Sequence, residues 1–268
     1  MNLIINISDV AIITGDNTFK TKREYLIDFW KKHFTNDFDK YKKSVNYVKE
    51  TDNDIITKIT LKNSINIIDE LKECNSTTNV SDLNIIKNEI TKKISHLSEN
   101  EKIEITKSVS NITNTKFGIR HENDISKLYE EKSGNTIIKD NKYHKTLILT
   151  HDNFNIFIGG KIDGYNEKHN TLIEVKNRMH KLFYTLRNYE NVQIMCYMHL
   201  FKTKYGHLVE ALKKKDNTEI NIIEVSYNED YMKEIINKIL NFIIYFTNFI
   251  YDNDAKIKIL QNDDEIDF

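Results

Sequence analysis

"GGKIDGYNEKHNTLIEVKNR", Gly159 to Arg178, sets an aspartate, a glutamate and a lysine into segments that otherwise read as buried strand. Successive strand residues face opposite sides. In "FNIFIGGKID" that rule puts Phe154, Ile156, Ile158 and Ile162 on one face and Lys161 and Asp163 on the other. In "TLIEVK" it sets Ile173 and Val175 against Leu172, Glu174 and Lys176. The turn "YNEKHN" makes the two segments a hairpin. With the charged faces aligned, Asp163, Glu174 and Lys176 converge at the end of a sheet. Two carboxylates about 4 Å apart repel by roughly 4 kcal/mol at an effective dielectric near 20, and a stable fold needs something to offset that. A hard divalent cation does so, and all-oxygen ligation suits Mg²⁺ or Mn²⁺, as one ion or two. A lysine two residues beyond one ligand is then placed to act on an attacking water or to steady charge building on phosphorus.

A glutamate-x-lysine pair alone carries no such message, because Glu70-Leu-Lys72 and Glu130-Glu-Lys132 repeat it on predicted helices. The strand setting and the Asp-Gly eleven residues upstream distinguish Glu174 and Lys176 from those pairs. The structural alternative is an exposed edge hairpin with incidental charges.

The 268 residues are enough for a large core, and the net charge of -1 gives no global field that would draw a polyanion. Any nucleic-acid surface must come from local clusters such as Lys20/Lys22/Arg23, Lys31/Lys32, Lys42/Lys43 and Lys213/Lys214/Lys215. Proline is absent, and Lys, Asn and Ile abound, the skew of AT-rich coding DNA. Cys74 and Cys196 are too few for a disulfide framework or a four-thiolate metal site, and no signal peptide opens the chain, so a reducing intracellular compartment, cytoplasmic or nuclear, is expected. The most apolar run, Ile235 to Tyr251, is broken by Asn237, Lys238, Asn241 and Asn248 and reads as a buried amphipathic helix rather than a membrane span.

Along the chain, Ser8 is placed to cap a helix in "SDVAIITG" that stops at Gly15, and "TKREYLIDFWKKHF" gives a second. Residues 36–115 read as a helical insertion with a loop near "CNSTTNVS". "GIRHENDISKLYEEKSG" predicts a helix from about Gly118 to Lys132. Strands follow over about Lys142–Thr150, Asn153–Asp163 and Thr171–Lys176, then a helix over Tyr189–Lys202, strands over His207–Lys213 and Glu219–Ser226, and the long apolar helix. The division expected is a core of residues 1–35 and 116–255, the insertion 36–115, and a frayed acidic tail, 256–268. Gln193 and Tyr197, four apart, share one helix face.

"IDG" followed by "IEVK" resembles the signature of the PD-(D/E)XK nucleases, with Ile162 where proline usually stands. "GIRHENDISKLYEEKSG", "NVQIMCYMHLF" and "ISDVAIITGDNTFKTKREYL" resemble, respectively, the glutamate-asparagine helix, the glutamine-bearing helix and the N-terminal serine segment of the lambda exonuclease and YqaJ-type viral recombinase family. The resemblance spans about thirty N-terminal residues and most of 118–250. It implies an α/β, restriction-endonuclease-like core, a mixed β-sheet flanked by helices, with the helical insertion outside it. It also implies that Asp163, Glu174 and the Val175 carbonyl bind metal, that Lys176 acts on the nucleophilic water, and that Glu122 approaches the site from its helix. Gln193 and Tyr197 match the family's glutamine-tyrosine element, and Ser8 matches its 5′-phosphate serine. The family's arginine before that serine has no counterpart in Met1–Ile7, which leaves Lys161 as a substitute charge, with Arg178 as a further DNA contact.

These matches imply a Mg²⁺- or Mn²⁺-dependent deoxyribonuclease, an exonuclease before an endonuclease, acting on DNA in recombination, repair or defence, with a viral origin in keeping. Family members can form rings or dimers, so a homo-oligomer, dimer or trimer, is in keeping with the resemblance, as is a recombination or defence partner protein, although no oligomer signal is legible in the sequence. The rivals are a Cas4-like nuclease, whose iron-sulfur cluster two cysteines do not supply, a structure-selective endonuclease, and an inactive DNA- or partner-binding module of the same fold. A histidine-metal hydrolase using His144, His151, His169 or His199 lacks any HExxH spacing.

Overall fold

A computed structural model describes residues 1–17, 19–76, 80–119, 122–213, 217–262 and 265–268; the side chains of 75, 76, 115–119 and 122–124 fall outside that description. Lys214 and Lys215 of the basic cluster and residues 77–79 of the expected loop therefore lie outside the described residues.

The chain opens with a strand that the sequence reading treated only as an apolar start. In β1 (Asn2–Asn6) Leu3 and Ile5 point into the core, and the strand runs directly into α1 (Ile7–Ile13). Ser8 consequently lies exposed in the first turn of α1 and caps nothing; Asn6 occupies the N-cap without a side-chain bond to the helix backbone, its amide donating to Asp9 instead. The reason is burial: Ile5 and Ile7 are both fully enclosed, which fixes the strand-to-helix junction ahead of Ser8. Helix α2 (Lys22–His33) starts from a reciprocal box in which Thr21 accepts from Glu24 N and Glu24 accepts from Thr21 N. Helix α3 (Thr35–Ser44), expected inside the insertion, packs on the main core instead, with Phe38 and Tyr41 set 5.1 and 5.8 Å from the Trp30 ring.

A separate apolar cluster forms from Ile56, Ile59, Leu83, Ile86, Ile90 and Val109. These come from α4 (Asp52–Lys62), α6 (Val80–Lys93) and α7 (Glu99–Ile119), with Cys74 of α5 (Ile68–Ser76) beside them. Their helical spacing gives each helix one apolar stripe, and the stripes close on each other. Helix α8 (Glu122–Ser133) follows and ends at Gly134, whose φ of +67° suits a residue without a Cβ.

The predicted strand over Asn153–Asp163 divides between two sheets. β3 (Phe154–Gly160) lies between β1, to which it is parallel, and the antiparallel β2 (His144–His151). After Gly160 the chain leaves this sheet, and β4 (Gly164–Asn166) pairs antiparallel with β5 (Thr171–Arg178). β5 is parallel to β6 (Tyr205–Lys213), which is antiparallel to β7 (Thr218–Ser226). Lys161 and Asp163 thus sit on the link between the sheets rather than on one strand face. Close packing explains the break: a Cβ on Gly160 would come within 2.7 Å of the Tyr197 hydroxyl, and one on Gly159 within 2.7 Å of the His144 carbonyl.

Helix α9 (Asn188–Phe201) lies in the crossover that joins the parallel strands β5 and β6. Helix α10 (Glu229–Tyr251) turns Ile235, Ile239, Phe242, Ile243 and Phe246 into the core, where Phe29 meets Phe242 and Phe246 edge-on at 5.1 and 4.9 Å. Burying each such ring stabilises by about 2–3 kcal/mol. The described residues of the expected frayed tail pack against the core instead. Asp252 caps α11 (Asn253–Gln261), Ile259 and Leu260 are buried, and the Phe268 ring lies 4.8 Å from Phe242 while Lys22 pairs with Asp267. The apolar residues spaced through 255–268 outweigh the acidic ones that suggested disorder. No described helix is long and apolar enough to cross a membrane.

His33 carries a pH-dependent part of this stability. Its Nε2 lies 3.1 Å from the Ile4 carbonyl, joining α2 to β1. Burial, aided by the Lys32 charge and opposed by the Ile4 carbonyl, pushes its pKa down from 6.5 to about 4. The folded state therefore binds fewer protons than the unfolded one between those values. The contribution is complete above about pH 6.5 and lost as pH falls towards 4, a loss of about 1–2 kcal/mol for a partly exposed ring. Urea unfolding of wild type and His33→Gln across that range should show a shallower pH slope for the variant.

Candidate active site

β5 is the centre of the site because both its faces are covered. Ile173 and Val175 pack with Ile125 and Tyr129 of α8, while Leu172 joins the core beneath α9. The alternation then points Glu174, Lys176 and Arg178 at α9. Glu174 is 4% exposed and Lys176 lies half-buried beside it. Lys176 Nζ donates to Glu174 Oε1 at 2.8 Å and to Gln193 Oε1 at 2.9 Å. Gln193 Nε2 donates to the same Glu174 oxygen at 2.9 Å, closing a triangle between strand and helix.

Asp163 reaches this group from the link between the sheets. β4 ends its pairing at Gly164 opposite Ile173, so the next outward N–H of β5 lacks a strand partner there. The Asp163 carboxylate takes that place: its Oδ2 accepts from Val175 N at 2.7 Å. Burial pushes the Glu174 carboxyl up to about 7; Lys176 opposes the rise, and the Asp163 charge adds to it. Burial lowers the Lys176 pKa, but Glu174, Asp163 and Glu190 outweigh it, and the ammonium is held cationic above its usual range. Tyr197, one turn beyond Gln193, is buried against Gly160; burial first, then Glu174 and Asp163, push its hydroxyl far up. It therefore remains a hydrogen-bond donor at any working pH.

The structure brings Asp163, Glu174, Lys176, Gln193 and Tyr197 together. Val175 contributes its N–H to Asp163 and turns its side chain to α8. Glu122 is the first residue of α8, and its side chain lies outside the described residues. Lys161 is exposed on the link two residues before Asp163, and Ser8 is exposed on α1. Among the described residues no third His, Cys, Asp or Glu side chain joins the two carboxylates in a metal-sized cluster.

Arg178 is placed otherwise than expected. It is 8% exposed and forked between two fully buried carboxylates, donating from Nη1 to Glu190 at 2.7 Å and from Nε to Glu210 at 2.9 Å. Its guanidinium is thus withheld from the surface. Glu210 also accepts from Tyr184 N at 2.9 Å and from Asn221 at 3.2 Å. Although burial raises its pKa, these donors and Arg178 outweigh the rise and hold it below the usual carboxylate range. Sequence reading missed Glu190 and Glu210. A signal existed for Glu210, an isolated acid in the apolar strand "HLVEALK", the same signal that marked Glu174.

No family model and no curated protein matches the chain. Solved structures of similar shape include exonucleases. An alkaline exonuclease from Laribacter hongkongensis is 12% identical with a TM-score of 0.40, covering 68% of this chain and 88% of that one. The same exonuclease in complex with dAMP is 11% identical with a TM-score of 0.41, covering 61% and 88%. A phage-related exonuclease from Haemophilus somnus 129PT is 14% identical with a TM-score of 0.34, covering 55% and 70%. These are low-scoring likenesses of shape, and the functional reading rests on the side chains of this chain.

Proposed function

We propose that this chain is a Mg²⁺- or Mn²⁺-dependent deoxyribonuclease hydrolysing phosphodiester bonds, an exonuclease of the lambda exonuclease type. The observation that carries the reading is the gathering of Asp163, Glu174, Lys176 and Gln193 at one place on β5. The residues fit a divalent cation. Two carboxylates face one ammonium, leaving excess negative charge, and the donors are hard oxygens of the kind Mg²⁺ and Mn²⁺ take. Asp163 and Glu174, with the Val175 carbonyl, would hold the ion, which supplies Lewis-acid polarisation of the phosphate and an acidified water.

Lys176, kept cationic, works as a donor that orients the attacking water and offsets charge on the phosphoryl oxygens. Gln193 fixes that ammonium by accepting from it while donating to Glu174. Tyr197 keeps its proton for a second hydrogen bond at the site. Water attacks phosphorus as the bond to the 3′-oxygen breaks; the water's proton passes to solvent and the leaving oxygen takes one up. Lys176→Met is expected to lower kcat by about 10²–10³, the effect of losing one charge-stabilising donor. Gln193→Ala removes only the brace, so single-turnover digestion should slow by roughly tenfold.

The decisive experiment is a time course of Mn²⁺-supported digestion of linear 5′-phosphorylated, linear 5′-hydroxyl, single-stranded and covalently closed circular DNA. Loss of linear forms alone is expected. Cutting of the circle would replace the exonuclease reading by an endonuclease one, and survival of every substrate would overturn the nuclease.

A further inference from the structure

Between β5, which carries Glu174 and Lys176, and α9, which carries Gln193 and Tyr197, runs "MHKLFYTLR", Met179 to Arg187, without one acidic residue in a chain of net charge -1. Its backbone is pinned from beneath. Phe183 N and Tyr184 N both donate to Glu210, and Arg187 N donates to Glu190, the two buried carboxylates that Arg178 joins. A buried ion network of this kind is weak as a source of stability and better suited to fixing one geometry. The geometry fixed is uncommon. Tyr184 has φ +58°, a left-handed conformation disfavoured for a bulky residue, and the residue is 65% exposed.

Beside it stands a ladder of rings and cations. The Arg187 guanidinium lies 3.3 Å above the Phe183 ring, and its carbon is 5.9 Å from the Tyr189 ring. Tyr189 meets Phe19 edge-to-face at 5.7 Å, and Phe19 is 76% exposed. Lys181 adds a second cation 5.5 Å from the Phe183 ring. Tyr184 also walls an open cavity of about 620 Å³ with Leu182, Lys132 and Ile220. Glu131 and Glu219 line the same cavity, so it disfavours a phosphate and suits an uncharged flat group.

We propose that this strap is a platform for single-stranded DNA, with Tyr184 and Phe19 stacking on unpaired bases while Lys181 and Arg187 face the backbone phosphates. The inference rests on the nuclease reading and adds the form of its substrate: the bases that reach the strap must be unpaired, since a duplex hides their faces. Exposed aromatic rings alternating with cations on a rigid support have the character of sequence-tolerant single-strand sites. Holding Tyr184 in a disfavoured conformation keeps the ring presented.

The test is fluorescence anisotropy of a short labelled single-stranded oligonucleotide with the full-length protein in EDTA, so that no cleavage occurs. Tyr184→Gly removes the ring while retaining a residue at ease with positive φ, so it should fold at least as well as wild type. Its Kd is expected to rise about tenfold, that of Phe19→Ala about five- to tenfold, and that of Tyr184→Phe less than twofold, with salt slopes unchanged because no phosphate contact is lost. Wild type should show a comparable loss on an oligonucleotide with abasic sites. Equal affinity of wild type, Tyr184→Gly and Phe19→Ala, or failure of wild type to bind the strand, would overturn the platform. Mn²⁺-supported digestion by the same wild-type preparation separates the two readings. Digestion with unaffected variant binding removes the platform alone, whereas ring-dependent binding without digestion upholds the platform as a binding site and removes the nuclease.

Discussion

Asp163→Asn protein is expected to fold like wild type and to digest DNA at least about a thousandfold more slowly. The two halves of that expectation come from two properties of one side chain, a hydrogen-bond acceptor and a charge. Oδ2 of Asp163 accepts from Val175 N, closing the edge of β5 where β4 stops. An asparagine carbonyl oxygen accepts the same bond, so the thermal midpoint should move by no more than about 2 °C. What asparagine lacks is the negative charge, and with it goes a ligand to the proposed cation, a change that costs orders of magnitude in turnover. Asp163→Ala differs instructively. It leaves Val175 N–H unpaired in a partly buried setting, adding about 1–3 kcal/mol of instability to the same loss of rate. Calorimetry with Mn²⁺ gives a readout apart from turnover: wild type binds, Asp163→Asn binds at least about tenfold more weakly. An asparagine variant that digests DNA at more than a tenth of the wild-type rate would remove Asp163 from the reaction.

The parts of this site legible in the sequence are those governed by local periodicity. The period of two along "TLIEVK" was enough to turn Glu174 and Lys176 to one side, and the spacing of four placed Gln193 and Tyr197 on one face of α9. That the two faces meet, through Lys176 and Gln193, required the parallel β5–β6 crossover, a long-range property. Alternation failed at Gly160, where a ring from α9 displaces the room a side chain would need and the strand passes into a second sheet. Asp163 arrived at the site nonetheless, by a bend and not by the strand face expected of it. α3 was misplaced for a related reason. Its composition matches the helices after it, but Trp30 offers Phe38 and Tyr41 a place in the main core, and only packing reveals that. Arg178 was misread because an arginine at the end of a strand looks alike whether it faces solvent or a buried acid, and its partners lie 12 and 32 residues away.

Arg178→Met should therefore lower stability severely without the signature of a lost DNA contact. Methionine matches the length of the arginine stem but offers no donor, and Glu190 and Glu210, both 0% exposed, would share the interior with no cation between them. Breaking a buried ion network from one side typically costs about 3–5 kcal/mol, since the remaining charges stay desolvated and unpaired. For a chain of this size each kcal/mol moves the midpoint by about 2–4 °C, so a fall of roughly 10 °C is expected in a thermal melt. Arg178→Lys should recover only part of it, because an ammonium lacks the fork that engages both carboxylates. Had Arg178 gripped a phosphate, its loss would instead lower the magnitude of the slope of log Kd against log salt by about one unit at nearly unchanged stability. The two accounts thus diverge on independent axes. A melt within about 2 °C of wild type together with a reduced salt slope, measured well below the midpoint, would return Arg178 to the DNA surface. A large drop with an unchanged slope places its work beneath the strap, where Arg178 and Glu210 fix the backbone of Phe183 and Tyr184.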